Sequence, residues 1–362
     1  MSPPDIELIG VEKRFGDVVA VESTSLVVER GEFISILGPS GCGKSTTLAM
    51  IVGFQEPTAG TIRIRSVDQT GVPPERRNIG MVFQNYALFP HMTVAENVAF
   101  GLKMRGADAV AIATTVARVV KMVHLEGFED RYPRALSGGQ QQRAALARAI
   151  APQSSVLLLD EPLSNLDQKL REAMRLELKQ LHRALGMTFV YVTHDQEEAL
   201  AMSDRIVVMS RGRIAQVGTP ADIYQRPADA FVADFIGKSS ILEVDSGAAE
   251  NGLCRFRIAG TDCHVVAKAE RPQGGRRATR ICIRPEKIAV RGVGEAKPEG
   301  CNTFDAVIAD IVNLGSHLQL ILRIAADHTV IATVSSERLT SLRRMQAVSL
   351  HVMPEHIIVL SE

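Results

Sequence analysis

This sequence predicts an α/β fold on a largely parallel sheet, followed by a separate all-β domain. Three observations carry that prediction. Short continuous aliphatic runs alternate with helical patterns through the first part of the chain. A glycine-rich loop stands between one such run and a helical stretch. Beyond Gly237 and Lys238 the texture changes to short β-type runs separated by Gly, Pro and Asp turns. A chain of 362 residues is long enough for two cores.

Taken in order, FISIL (33–37), VLLLD (156–160), FVYVT (189–193) and RIVVM (205–209) are nearly continuous apolar runs, as expected for strands buried on both faces. From about residue 87 to 150 no such run occurs, and apolar residues recur at helical spacing instead. That interval is expected to hold three helices, Val94 to Met104, Ala109 to His124 and Gln140 to Ala151. The expected division is therefore 1–237, with a helical subdomain at 87–150, and 238–362. The second domain echoes itself, since IRPEKIAV (283–290) and VMPEHIIVL (352–360) both place Pro-Glu before an apolar run. Chance and duplicated strands of a small barrel are both open explanations of so short an echo.

Lys plus Arg and Asp plus Glu balance at 41 each, which argues against a chain whose main task is to neutralise nucleic acid or coat an anionic membrane. The five cysteines form no C-x-x-C pair and do not cluster with histidine, so neither a disulfide frame nor a zinc site is expected. No secretory signal is visible at MSPPDIEL, and the most apolar helical stretch, Ala109 to Val123, is interrupted by Arg118 and Lys121. A role at a membrane would need docking on another chain from the cytoplasmic side.

GPSGCGKST, residues 38–46, follows the FISIL run and precedes the helical run Thr47 to Val52. Gly38, Gly43, Lys44 and Ser45 fit G-x-x-x-x-G-K-[ST] in the strand-then-helix setting that this loop requires. The backbone N–H groups of Gly38, Ser40, Gly41, Cys42, Gly43, Lys44, Ser45 and Thr46, with Pro39 shaping the loop, would converge on phosphate oxygens at a helix N-terminus. Lys44 would supply a point charge for the β and γ phosphates, and Ser45 a hydroxyl for Mg²⁺. Cys42 reads as a small loop residue, or as an oxidation-sensitive thiol.

VLLLDE (156–161) ends in two carboxylates. Asp160 would hold Mg²⁺ through water and Glu161 would act as general base on the attacking water. Ser137, Gly138 and Gly139 in LSGGQQQR (136–143) precede a helix. They form either a second anion-binding helix start or a simple cap, followed by Arg143 and Arg148 on a solvated face.

Together these residues resemble the ATP-binding subunit of an ATP-binding cassette (ABC) transporter, over essentially the whole first domain. The fold the resemblance implies is a P-loop NTPase cassette. LSGGQ matches that family's signature, and the other family elements follow in family order: Gln84 in MVFQNYALFP, Asp167 in SNLD and His194 in VTHD.

The resemblance implies a head-to-tail dimer of this chain with itself or a paralogue. ATP would lie between the phosphate loop of one copy and Ser137, Gly138, Gly139 and Gln140 of the other. It further implies that His194 contacts the γ-phosphate and positions Glu161 and water, that Gln84 senses Mg²⁺ and water, and that Asp167 links the two copies. Phe15, in KRFGDVVA, matches the family's aromatic position against adenine, with core packing as the rival reading.

FQNYALFPHMTVAENVAFGLKMR (83–105) is similar to the version in bacterial importers fed by a solute-binding protein. Such importers carry an OB-like regulatory (TOBE) domain at the position of 238–362. GKSSILEV (237–244) with IRPEKIAV looks most like the polyamine (spermidine/putrescine) group; sugar, iron and other small solutes are the alternatives. The implied partners are transmembrane permease subunits and, indirectly, a solute-binding protein; the implied place is the cytoplasmic face of the plasma membrane. A soluble ABC ATPase would normally show two cassettes or a long coiled coil, and neither is visible. A nucleotide-dependent regulatory module is the non-enzyme alternative. An OB-like domain also suits nucleic acid, but neutral net charge, with Phe256 and Phe304 the only aromatics after Phe235, argues against that partner.

Overall fold

The fold is taken from a computed structural model that describes residues 3–250, 252–268, 278–295, 298–325 and 328–361. The chain divides into two compact units, 1–220 and 221–362. The first unit runs β1 (Ile6–Phe15), β2 (Val18–Val28), β3 (Phe33–Leu37), α1 (Lys44–Val52), β4 (Ala59–Ile64), β5 (Val67–Asp68) and β6 (Ile79–Val82). It continues through α2 (Val94–Met104), α3 (Ala109–Met122), α4 (Gly138–Ile150), β7 (Val156–Asp160) and α5 (Gln168–Leu185). β8 (Thr188–Thr193), α6 (Gln196–Met202), β9 (Arg205–Ser210) and β10 (Arg213–Gly218) complete it.

The four apolar runs are strands β3, β7, β8 and β9, and they form the middle of a six-stranded sheet of order β10-β9-β3-β8-β7-β6. All its neighbours are parallel except β9 and β10. β3 is buried at every position, which is why it reads as an unbroken apolar run. Between Val82 and Val156 the described residues contain helices and no strand. α3 stops at Met122 because His124 adopts φ 54°, and α4 starts at Gly138, two residues before the expected Gln140, because Ser137 caps it.

A second sheet of the first unit, order β2-β1-β4-β5, is antiparallel and was not visible as apolar runs. β1 and β2 interleave Glu7, Glu12, Lys13 and Glu22 with apolar residues, and the pairing shifts between Leu8 and Val11, where Gly10 takes φ 56°. Half-exposed, bulged strands blur the period that sequence pattern depends on.

The second unit opens with two short helices, α7 (Pro220–Gln225) and α8 (Ala230–Phe235). These residues were expected with the first domain. Arg284, only 2% exposed, donates to the carbonyls of Tyr224, Ala233 and Ile236 and stacks over the Tyr224 ring, which fastens the segment to the second unit. β11 (Ser240–Glu250), β12 (Leu253–Ile258), β13 (His264–Lys268) and β14 (Ala278–Ile283) come next. They precede β15 (Ala289–Gly292), β16 (Asn302–Asn313), β17 (His317–Ala325), β18 (His328–Ser335), β19 (Ala347–Val352) and β20 (Ile357–Ser361).

These strands make two antiparallel five-stranded sheets, β13-β12-β11-β14-β20 and β15-β19-β16-β17-β18, around one shared core. The Pro-Glu echo marks a real repeat. Each copy is a 3₁₀ turn, Pro285–Lys287 and Pro354–His356, that carries the chain from one sheet to the other. The registers are related by a pseudo-twofold, because Ala289↔His351 in one sheet corresponds to Ile358↔Cys282 in the other.

Candidate nucleotide site

The loop 38–46, Asp160, Glu161 and His194 gather at one edge of the parallel sheet, whereas Ser137–Gln140 open α4 and Phe15 ends β1 in the antiparallel sheet. β3, β8 and β7 are adjacent and in register, with Leu37 opposite Thr193 and Asp160 opposite Val192. The loop 38–46, His194 and the Asp160–Glu161 pair therefore emerge from the carboxyl ends of neighbouring strands, where ligands of parallel α/β sheets bind.

The loop is shaped for an anion. A Cβ on Gly38 would lie 2.4 Å from the Met209 carbonyl oxygen, and Gly43 has φ 104° with the Ala20 carbonyl 2.7 Å from where its Cβ would sit. Only glycine fits either place. Gly43 is also the N-cap of α1, with no side-chain cap on the helix, so the amides of its first turn remain available. Lys44 is 6% exposed, and its ammonium donates to the carbonyls of Gly38 (2.8 Å) and Pro39 (3.0 Å). Its charge is thereby held inside the loop. Ser40 and Gly41 are exposed at the loop surface, while Cys42 is buried and burial pushes its thiol pKa up, which fits a structural thiol.

Ser45 Oγ lies 3.5 Å from Asp160 Oδ1. Burial, and next the charge of Glu161, push the Asp160 carboxyl above its ordinary pKa. A half-buried carboxylate beside a hydroxyl and a second carboxylate is a hard, oxygen-only donor set of the kind that takes Mg²⁺. Glu161 itself adopts φ 44°, a left-handed conformation that costs energy for a residue with a side chain. It is held there by its N–H on Val192 O (3.0 Å) and by Ser164, which donates to the Glu161 carbonyl through both N and Oγ. The twist aims its carboxylate at His194, with Oε2 3.0 Å from Nδ1.

Gln84 is exposed just after β6, and its carbonyl accepts from Asn165 Nδ2 at 2.8 Å. Asn165 was not anticipated. It ties the Gln84 loop to the SNLD turn, whose Asp167 caps α5 by accepting from Leu170 N. The LSGGQ residues open α4 with a capping box, in which Ser137 Oγ accepts from Gln140 N (3.4 Å) and Gln140 Oε1 accepts from Ser137 N (2.9 Å). Leu166 and Leu170 crowd Gly138 and Gly139, so the signature packs directly on the Asp167 turn.

The simple solvated face for Arg143 and Arg148 does not hold. Arg143 pairs with Glu177 at 2.5 Å, and Arg148 donates to the carbonyls of Tyr86 and Ala87, two non-glycine residues at positive φ just past Gln84. Phe15 is 49% exposed, with Lys13 Nζ 5.0 Å from its ring centre, so it is not a core residue.

Known proteins resemble this chain over nearly its whole length. Residues 21–164 match the ABC transporter family and residues 281–360 match the TOBE domain. A spermidine/putrescine import ATP-binding protein PotA from Rubrobacter xylanophilus is 49% identical over 363 residues, covering 99% of this chain and 94% of the relative. The chain belongs to the ATP-binding subunits of ABC importers. An Fe(3+) ions import ATP-binding protein FbpC of Brucella suis is 44% identical, over 88% of this chain and 87% of that one. Among solved structures, the dimeric cassette MJ0796 in a post-hydrolysis state bound to ADP and Pi has TM-score 0.53 and 36% identity, over 59% of this chain and 98% of that one. As an ABC ATPase this importer subunit binds and hydrolyses ATP. No described helix is long and apolar enough to cross a membrane.

Proposed function

We propose that this subunit powers uptake of a polyamine through a separate membrane permease, by closing on a second copy of itself around two ATP molecules. One observation supports this most directly: an uncapped helix start with a buried lysine faces the same sheet edge as a paired Glu161 and His194. Gly38 to Thr46 cradle the phosphates, and Phe15, exposed at the end of β1, stacks on adenine. Ser45, Asp160 and Gln84 would hold Mg²⁺, which neutralises charge on the β and γ phosphates. Glu161 takes the proton of the attacking water, with His194 fixing the carboxylate and touching the γ-phosphate.

Ser137 and Gly139 complete the site from the other copy, with Gly138 and Gln140 shaping that helix start and Asp167 meeting the facing chain. That solved cassettes with this fold are dimeric supports the arrangement. Closing adds an interface that the loss of the γ-phosphate removes, so nucleotide state drives opening and closing. The loop after Gln84 and a groove of about 400 Å³ beside it, between Phe83, Phe89 and Phe100, would receive a cytoplasmic helix of the permease. The subunit would sit on the cytoplasmic face of the plasma membrane, with the first unit, 1–220, as motor and the second, 221–362, as regulatory domain.

Polyamine as solute is supported by relatives named for spermidine and putrescine at 45 to 49% identity, while the Fe(3+) relative at 44% keeps a metal-ion solute in play. Purifying the subunit with its attached membrane chains and measuring solute-stimulated ATPase in proteoliposomes tests this. Stimulation by a binding protein loaded with spermidine is expected; stimulation only by one loaded with iron would replace the polyamine assignment.

A further inference from the structure

α5 carries three cations on one face, Arg171, Arg175 and Lys179, at the i, i+4, i+8 spacing that aligns side chains along a helix. All three reach α6 or the turn before it. Lys179 Nζ donates to Ala201 O at 2.5 Å, and Arg175 lies 3.1 Å from Glu197 and 3.5 Å from Asp195. Arg171 differs in reaching two ways. Its Nη2 donates to the carbonyl of Leu166, the residue before Asp167, at 3.0 Å. Its other nitrogens lie 3.7 Å from Asp195 Oδ2 and 3.9 Å from Glu198 Oε1.

Those two carboxylates frame His194. Asp195 follows it directly and caps α6 through Glu197 N and Glu198 N. Buried Glu198 accepts from Tyr191 OH and from Thr193 Oγ1, both at 2.7 Å, and so anchors the end of β8 from which His194 projects. We infer that Arg171 is a positioning residue that sets the Asp167 turn in register with His194, acting through Leu166 O on one side and the Asp195–Glu198 pair on the other. The inference rests on the roles proposed above for Asp167 and His194.

The present spacing leaves slack for that task. Arg171 Nε is buried without a hydrogen-bond partner, and 3.7 to 3.9 Å is ion-pair distance. An unpaired buried N–H is costly, so a shift of under about 1 Å that closes it on Glu198 is favoured. A second copy pressing on the Asp167 turn would supply such a shift, and the same movement would carry α6 and His194 with it. The arrangement makes hydrolysis depend on an occupied facing surface.

The test is steady-state and single-turnover ATPase of the full-length subunit as wild type, Arg171→Met, Arg171→Lys, His194→Ala and the Arg171→Met/His194→Ala double variant. Equilibrium ATP binding and thermal midpoint are measured alongside. Arg171→Met keeps the apolar stem, so ATP binding should stay within about twofold while kcat falls roughly 10- to 100-fold, as for misplaced catalytic groups. Arg171→Lys keeps the charge without the fork and should fall between the two. The double variant should be no slower in single turnover than His194→Ala alone, because both lesions act on one step. Normal kcat in Arg171→Met beside a slow His194→Ala, or multiplicative losses in the double variant, would overturn the inference alone. Wild-type turnover in His194→Ala would remove the proposed role of His194 and this inference with it. Should Arg171→Met fail to fold, the Arg171→Lys variant decides by the same comparison.

Discussion

Two helices of the first unit start on serine- and glycine-rich turns, and they treat their first amides in opposite ways. α1 starts on Gly43 with no side-chain cap, and a buried lysine sits within its loop. α4 starts on Ser137 and closes a reciprocal capping box with Gln140. A helix that leaves its first amides open is built for a ligand of its own chain. One that satisfies itself stays folded alone and exchanges a weak 3.4 Å bond when an anion arrives from elsewhere. On the proposed arrangement, the contrast would let one chain carry two anion-directed helix starts while holding a single nucleotide.

Substitutions sharpen that contrast. The largest effect is expected at neither helix start but at the base between them: Glu161→Gln should cut turnover by roughly 10²- to 10⁴-fold while ATP still binds. It should also trap a dimer, and gel filtration with ATP and Mg²⁺ that shows only monomers at normal turnover would refute the assignment. Ser137→Arg should lower turnover by about 100-fold or more through charge and bulk where the facing γ-phosphate must fit. Nucleotide binding to the single chain should be unaffected, and normal ATPase would count against a trans role. Lys44→Ala should weaken ATP binding by roughly 10- to 100-fold, the value of a charge-assisted hydrogen bond of about 1.5–3 kcal/mol. An unchanged affinity by titration calorimetry would make α1 no different from α4. Phe15→Ala should have the smallest effect, about 10-fold in ATP affinity, with Phe15→Tyr near wild type. Equal loss for GTP and ATP in that variant would argue for a general surface role over adenine stacking.

Much of this site is legible in sequence because chemistry restricts its residue types. A phosphate loop needs glycine where Gly38 meets the Met209 carbonyl, and a lysine and a hydroxyl beside it. The residues that were missed act on backbone. Asn165 donates to Gln84 O, Arg148 to Tyr86 O and Ala87 O, and Arg171 to Leu166 O. Any carbonyl accepts such a bond, so no side-chain pattern announces it. The antiparallel sheet was hidden for a related reason. Its strands face solvent on one side and are broken by a bulge near Gly10, whereas β3 and β7 carry their burial in plain apolar runs. The segment 221–237 reads with the first domain because the residues that hold it to the second unit, Arg284, Glu286, Cys282 and Leu360, lie far along the chain.

The central claim is that α4 serves a nucleotide it does not hold. A crystal structure of the Glu161→Gln subunit with ATP and Mg²⁺ tests it most directly. Ser137 Oγ and Gly139 N should lie within hydrogen-bond distance, about 3.5 Å or less, of a γ-phosphate cradled by Lys44 of the partner subunit. Residues 137–139 far from any nucleotide in the fully loaded assembly, or reaching the ATP held by their own chain, would contradict it.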